Sequence, residues 1–317
     1  MPGSSPYSDH RFKVNDRNDA WSNLFGLVPD GSRVLDVGCS TGNLALALAE
    51  RKGCRAVGID ISSADVALAR EAGLDARVLD FTTGDLSELG RFDVIVCADV
   101  LEHVADPRRA LRTLAGILEP GGRVVFSIPN MAHISIRLEL MAGEFPYTKT
   151  GLLDSTHLRF WDRREVEGVF ADAGFSIEVE YPVIVDYPRA YVSERLGALG
   201  LTADDAFWRR LETTEAFVYQ FVGTAALRRD GAPALGPTLR TRLQADRVVR
   251  QLAVVAQERA DALDAELAAA RAELRHLRKF LDELRQRPVR MAAASAWRRL
   301  RRRFGSRVSG ERSRAQG

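Results

Sequence analysis

The chain has 317 residues, 46% of them hydrophobic, and a net charge of +2 at neutral pH. That is apolar mass enough for an ordinary globular domain with an additional segment, and it excludes a disordered or fibrous chain. No apolar run approaches the roughly 20 residues that a membrane-spanning helix needs. The start, M-P-G-S-S-P-Y-S-D-H, has no signal-peptide core, so a cytoplasmic protein with a disordered N-terminus over 1–14 is expected.

In chain order, Arg17 to Phe25 reads as an approach helix, and Val28 to Gly31 turns the chain into a first strand at Arg33. Arg55 to Ile59 is a second apolar strand ending in Asp60, Ser62 to Ala72 a helix with Ser62 at its cap, Ala76 to Leu79 a third strand and Phe92 to Cys97 a fourth. Pro107 to Leu118 reads as a helix stopped by Pro120-Gly121-Gly122, and Arg123 to Ile128 as the fifth strand. Phe175 to Tyr181 and Ala216 to Val222 supply two final strands. Between them, Asp186 to Thr214 carries Tyr187, Tyr191 and Trp208 and reads as a lid or substrate wall. Such alternation predicts an α/β fold, with a parallel sheet covered by helices on both faces and ligands at the carboxyl ends of the strands. Cys39, Cys54 and Cys97 lie in or beside strands without metal-ligand spacing, so buried reduced thiols are expected.

The stretch that carries chemistry is Arg33 to Asn43, R-V-L-D-V-G-C-S-T-G-N. Gly38 and Gly42 stand where a side chain would hold a ligand off the backbone, and the amides opening the next helix at Gly42 to Leu44 favour an anionic group. A dinucleotide fingerprint counted from Gly38 would need glycines where Ser40 and Asn43 stand, and no Gly-Lys-Ser/Thr follows. Pyrophosphate cradles are therefore disfavoured. What remains is a nucleoside with a small charged tail, and Asp36 suits an ammonium group.

This run, with V-G-I-D ending at Asp60, F-D-V-I-V-C-A-D-V-L-E-H-V and L-E-P-G-G-R-V-V-F-S-I-P-N, resembles the class I S-adenosylmethionine (SAM) methyltransferases of the type 11 and type 23 kind, across residues 15–227. Ser40 is the one departure, at a position often held by glycine. The resemblance implies a Rossmann-like seven-stranded sheet with one antiparallel member and SAM as cofactor. It places Asp36, Gly38 and Gly42 at the methionine end and Asp60, with Ile61 beside it, at the ribose hydroxyls. Asp80 falls at the adenine amino group with Phe81 beside the ring, and Cys97 lines the pocket floor through its backbone. Read from the residues alone, Asp60 is also compatible with a helix cap and Asp80 with an ordinary turn next to a core Phe.

On the acceptor side, Asp99, Glu102 and His103 fall at i, i+3 and i+4, and in a helical turn they would share a face. His157, in D-S-T-H-L-R-F-W, lies after the fifth strand. One reading makes Asp99, Glu102, His103 and His157 a divalent site for Mg²⁺ or Mn²⁺, with Glu102, His103 and His157 catalytic. In the other, Glu102 and His103 are a hydrogen-bonded pair and His157 caps a loop. The pattern is similar to that of the metal-dependent small-RNA 3′-terminal 2′-O-methyltransferases and, in part, of the ubiquinone-pathway O-methyltransferases. The segment from Gly143 to Trp161 also resembles methyltransferases encoded with bacterial surface-polysaccharide assembly enzymes, and Tyr147, Lys149 and Arg159 suit a polar or phosphorylated acceptor. The expectation is O-methylation of a sugar or polysaccharide hydroxyl. A quinone or small catechol is the alternative acceptor, and a non-catalytic coiled-coil scaffold the alternative class.

Beyond the methyltransferase domain, assigned to 15–229, D-G-A-P-A-L-G-P opens a linker over 230–238. Ala260, Leu263, Leu267, Ala270, Leu274, Leu277, Leu281 and Leu284 form an a/d heptad seam in a predicted coiled-coil helix over 239–287. Glu266 with Arg271 and Glu273 with Arg278 occupy g and following e positions, so a parallel homodimer is expected. The tail over 288–317 is basic and amphipathic. From Arg287 onward there are ten Arg and one Glu, and Trp297, Leu300 and Phe304 share a helical face, which suits an anionic inner-membrane surface. Nucleic acid is disfavoured, because the domain itself lacks a basic surplus.

Overall fold

The computed structural model describes residues 18–228 together with Leu263, residues 267–275 and Arg278. Its strands are β1 (Arg33–Val37), β2 (Arg55–Asp60), β3 (Asp75–Val78), β4 (Phe92–Ala98), β5 (Leu118–Pro129), β6 (Phe175–Glu180), β7 (Val183–Ile184) and β8 (Val218–Leu227). Its helices are α1 (Ala20–Leu27), α2 (Asn43–Lys52), α3 (Ser63–Glu71), α4 (Pro107–Ala115), α5 (Ile134–Met141), α6 (Arg163–Asp172), α7 (Arg189–Ala198) and α8 (Asp205–Thr213). The sheet order is β3-β2-β1-β4-β5-β8-β6, with β7 also paired to β8. Strand β8 runs antiparallel to β5, β6 and β7. This is the expected Rossmann-like sheet with its single reversed member; the two-residue β7 makes an eighth strand.

The sheet is built outward from β1. Its neighbours are β2 on one side and β4 on the other, both parallel to it. The chain runs out to β3, then crosses back to start β4, and this reversal opens a crevice at the carboxyl ends of β1 and β4. Because helices cover both faces, β1 and β4 are buried at nearly every position rather than at alternate ones. One face buries Leu24, Val34, Leu44, Leu48, Val94 and Val125 together, and Ala45, Val66, Ala69, Leu74 and Ala76 form a second cluster around α3. Each fully buried Leu or Val contributes about 1.5–3 kcal/mol. Asp19, Ser62, Asp106, Asp162 and Asp204 cap their helices through side-chain oxygens that accept a backbone N–H three residues on.

Several boundaries differ from those predicted. Helix α4 stops at Ala115, and Leu118 is already in β5, paired with Phe92. The buried pair Ile117-Leu118 reads as apolar periodicity, but it serves the sheet. Helices α5 and α6 were absent from the sequence reading; α5 has little amphipathic pattern because Ile134 and Leu138 pack into one cluster and Ile136 into another. The 186–214 insert forms α7 and α8, which bury Val192, Leu196, Trp208 and Leu211 against Ile134 and Leu138 of α5. Trp208 is therefore core, not wall, while Tyr187 and Tyr191 stack with ring centroids 5.2 Å apart.

The chain divides into two compact units, Met1–Val248 and Val249–Gly317. In the second, Leu263, residues 267–275 and Arg278 are helical and exposed. The disordered start, the linker, the remaining coiled-coil positions and the basic tail of the sequence reading lie outside the described residues. Among the described residues, no helix is long and apolar enough to cross a membrane.

Candidate active site

The turn after β1 has the conformation its glycines require. Gly38, Ser40 and Gly42 have φ of 69°, 48° and 83°. A Cβ on Gly38 would stand 2.7 Å from Cγ2 of Val100, and one on Gly42 would stand 2.8 Å from Cδ2 of Leu74. Gly38 and Cys39 donate their amides to the Ile59 carbonyl at 2.8 and 3.1 Å, which ties the turn to β2. Gly42 also starts α2, and no side chain caps that helix end. A ligand's anionic group is the natural partner for such an end. Ser40 is strained as a left-handed residue with a side chain, and its buried Oγ has no partner.

Asp36 is buried at the end of β1. Burial, reinforced by the charge of Asp60, pushes its carboxyl up to about 7, so a cation placed beside it would be strongly favoured. Asp60 ends β2 and accepts the Ser40 amide at 2.9 Å and the Ser62 amide at 2.8 Å. It therefore braces the turn and leads into α3, and each of its oxygens keeps a lone pair for a hydroxyl. Ile61, next along, is 73% exposed, an apolar side chain left at the carboxyl edge of the sheet where a ligand ring would cover it. Asp80 is more local than the adenine reading implies. Its Oδ1 accepts from the amide and hydroxyl of Thr82 at 2.8 and 2.6 Å and its Oδ2 from the Thr83 hydroxyl at 3.0 Å, bonds that lower its pKa. Phe81 is buried. Together they have the geometry of a turn Asp beside a core Phe. Cys97 is fully buried in β4, and all three cysteines are free and buried.

The acceptor cluster departs from the sequence reading in one respect. Leu101–His103 is a single 3-10 turn, and Asp99, with φ of 54°, precedes it in the left-handed region. Asp99 is therefore not on a shared helical face with the other two. Its Oδ1 accepts from Ser127 Oγ at 3.0 Å and from the Gln220 side-chain amide. Donor atoms of Glu102, His103 and His157, without Asp99, all lie within 4.8 Å of one another. His157 arrives because the Glu102 carbonyl accepts the amides of Leu158 and Arg159 at 2.9 and 3.0 Å.

Glu102 is wholly buried, yet neither of its carboxylate oxygens has a hydrogen-bond partner. Burial first, then the charges of Asp99 and Asp154, raise its pKa well above the usual carboxylate range. The hydrogen-bonded Glu102–His103 pair is thus not formed. His103 Nδ1 instead lies 3.2 Å from both the carbonyl and the hydroxyl of Thr156. His157 Nδ1 lies 3.2 Å from the Leu152 carbonyl, which can only accept, so Nδ1 carries the proton and the Nε2 lone pair faces Glu102 at 4.0 Å. Burial and the neighbouring His103 lower the His157 pKa and keep it neutral. A buried acceptor-only carboxylate with two imidazoles, one oriented by a carbonyl, is a donor set that fits a divalent cation.

Tyr147 and Arg159 are exposed, and the Arg159 guanidinium donates to the Ala105 carbonyl. Phe145 packs edge-on against Tyr147 and Phe160. Gly58, Ser127 and Gln220 were missed from sequence. A Cβ on Gly58 would stand 2.6 Å from Cys39 Sγ, and this close approach was signalled only by a glycine inside a strand. Gln220 lies 121 positions from Asp99 and carried no signal.

A parallel sheet reversed only at β8, with an acidic strand end beside a glycine turn at its carboxyl edge, is the fold of the class I SAM-dependent methyltransferases. The chain belongs to the methyltransferase-domain family, whose profile matches residues 10–180. Among curated proteins it is 38% identical over 122 residues to the ubiquinone biosynthesis O-methyltransferase of Alkalilimnicola ehrlichii, covering 37% of this chain and 49% of the relative. It is 37% identical over 121 residues to that of Pseudomonas entomophila, covering 36% and 52%. The chain thus spans about half the length of the curated relatives it matches. Among solved structures it is similar to the CcbJ methyltransferase from Streptomyces caelestis, at 16% identity and a TM-score of 0.47, covering 71% of this chain and 96% of that one. Magnesium protoporphyrin IX methyltransferase from Synechocystis with bound SAM aligns at 16% identity and a TM-score of 0.42, covering 69% and 87%.

Proposed function

We propose that the chain is an O-methyltransferase whose acceptor is a ring hydroxyl of a small catechol or quinone precursor with a second hydroxyl beside it. The observation that carries this reading is the buried, unpartnered Glu102 carboxylate beside His103 and His157 at the carboxyl end of β4. A buried charge with no partner is costly and persists where a ligand completes it. The curated relatives are named for O-methylation in ubiquinone biosynthesis, which supports this acceptor over the sugar expected from sequence.

Asp36 would face the SAM ammonium and Asp60 the ribose hydroxyls. The acceptor oxygen attacks the sulfonium methyl in line: an O–CH₃ bond forms, the S–CH₃ bond breaks, and S-adenosylhomocysteine leaves neutral at sulfur. The hydroxyl proton leaves to solvent water, because the one lone pair of His157, at Nε2, is the atom that would hold an ion. Glu102, His103 and His157 would hold a divalent ion such as Mg²⁺ or Mn²⁺, which when bound supplies Lewis acidity to a chelated hydroxyl.

The test is release of S-adenosylhomocysteine from SAM with 3,4-dihydroxybenzoate and longer-tailed catechols on one side, and mono- and oligosaccharides on the other. Monomethyl ethers of the catechols are expected. Turnover of sugars with inert catechols would overturn the reading and restore the glycan acceptor.

A further inference from the structure

Asp99 is set apart by interactions on three adjacent strands. It follows β4; Ser127 lies on β5 and Gln220 on β8. The Asp99 amide donates to Ser127 Oγ at 3.0 Å, and that hydroxyl donates back to Asp99 Oδ1 at 3.0 Å. Gln220 Nε2 donates to the same oxygen. Ser127 is fully buried, and the Asp99 backbone is held at φ 54°. Turning this carboxylate toward Glu102 would strand a buried hydroxyl and an amide together, so the side chain is held by Ser127 and Gln220 and is not among the grouped donor atoms of Glu102, His103 and His157.

We propose that Gln220 is a positioning residue which, with Ser127, keeps Asp99 out of the divalent site, so that Glu102, His103 and His157 are its only ligands from the described residues. The inference rests on the metal reading of that cluster. Its consequence is for the acceptor: a six-coordinate ion with three protein ligands keeps positions for both oxygens of a vicinal diol and a water, where four ligands would leave no place for the water. Gln220, on the reversed strand, then sets how openly the ion meets the acceptor.

The experiment is a Mn²⁺ titration of the full chain, reading free Mn²⁺ by electron paramagnetic resonance, with SAM affinity measured on each variant as the folding control. Glu102→Gln should weaken Mn²⁺ binding by about tenfold or more and Asp99→Asn by no more than about twofold. Gln220→Leu should release Asp99 toward the ion and tighten Mn²⁺, and adding Asp99→Asn to Gln220→Leu should remove that gain. Such coupling would not arise from a merely structural Gln220. Asp99→Asn as damaging as Glu102→Gln, or a double variant that is simply additive, overturns the proposal and leaves the metal reading intact. A wild-type chain that binds SAM but no Mn²⁺ overturns both.

Discussion

Nε2 of His157 stands 4.0 Å from Oε1 of Glu102, yet no hydrogen bond joins them, and the carboxylate is buried without any partner. Such an arrangement disfavours the ionised carboxylate in the ligand-free chain and is relieved by a proton or by a cation placed between the two groups.

Replacing Glu102 therefore separates stability from function. The carboxyl's folded pKa lies above its unfolded value, so the ionised form is disfavoured in the native state, and its cost grows as pH rises through the range above the unfolded pKa. Glu102→Met should raise stability at neutral pH in chelator by about 1–3 kcal/mol, the cost of a buried unsatisfied group. Methyl transfer should fall by about 10² or more. Thermal denaturation in EDTA, paired with activity in Mn²⁺, checks both; a variant less stable than wild type in chelator contradicts the account.

The second expectation concerns pH. Asp36 has a folded pKa of about 7, raised by burial and by Asp60. In the ligand-free chain it holds its proton below that pH, so stability falls as pH rises from the ordinary value of 3.8 to about 7 and the cost is constant above it. An ammonium beside it reverses the preference, so SAM should bind with release of a proton. Affinity should be about tenfold weaker at pH 6 than at pH 8, the change expected for a group of pKa 7 that must ionise. Calorimetry in buffers of different ionisation enthalpy measures the proton count. Affinity flat between these pH values would show that Asp36 does not meet the cation.

Asp60 supports the third. It braces Ser40 and Ser62 by accepting their backbone amides at 2.9 and 2.8 Å at the carboxyl end of β2. Asp60→Ala should weaken SAM by about 1.5–3 kcal/mol, ten- to a hundredfold. Titration calorimetry giving unchanged affinity would remove the ribose assignment.

The meeting of the glycine turn with the two acidic strand ends was legible because it is local. Asp36, Gly38 and Gly42 lie within one strand-turn unit, and Asp60 closes the next strand, so spacing alone nearly specifies their meeting. The acceptor side was half legible. Glu102 and His103 are adjacent in sequence, and His157 was reachable as a later histidine. Asp99 misled, because periodicity assumed a helical turn where the chain makes a 3-10 turn after a left-handed residue. What captures its carboxylate comes from β5 and β8, strands that meet β4 only through the sheet, and no local pattern encodes that contact. Helix α5 escaped for a related reason: Ile134 and Leu138 pack into one cluster, Ile136 into another, and Leu140 and Met141 are exposed, so no polar face gives it a period.

The last expectation lies outside the catalytic unit. Leu263, Leu267 and Leu274 are helical residues 62%, 47% and 57% exposed, and their sequence spacing puts them on one seam with Ala270. We propose that these exposed leucines at heptad spacing meet a partner helix, and the flanking charges favour a parallel one. Glu273 at g meets Arg278 at the following e of a parallel copy, whereas an antiparallel copy would set the e-position arginines Arg271 and Arg278 among their own kind. Eight seam positions per chain would supply on the order of 10 kcal/mol before ordering costs, enough for association at micromolar concentration. Light scattering should therefore find the full chain dimeric and a chain ending at residue 229 monomeric. Charge exchange tests the direction. Glu266→Arg with Glu273→Arg should leave one chain monomeric, Arg271→Glu with Arg278→Glu another, and mixing the two should restore a heterodimer. A monomeric full chain would end the dimer, and exchanged chains that fail to pair on mixing would end the parallel arrangement.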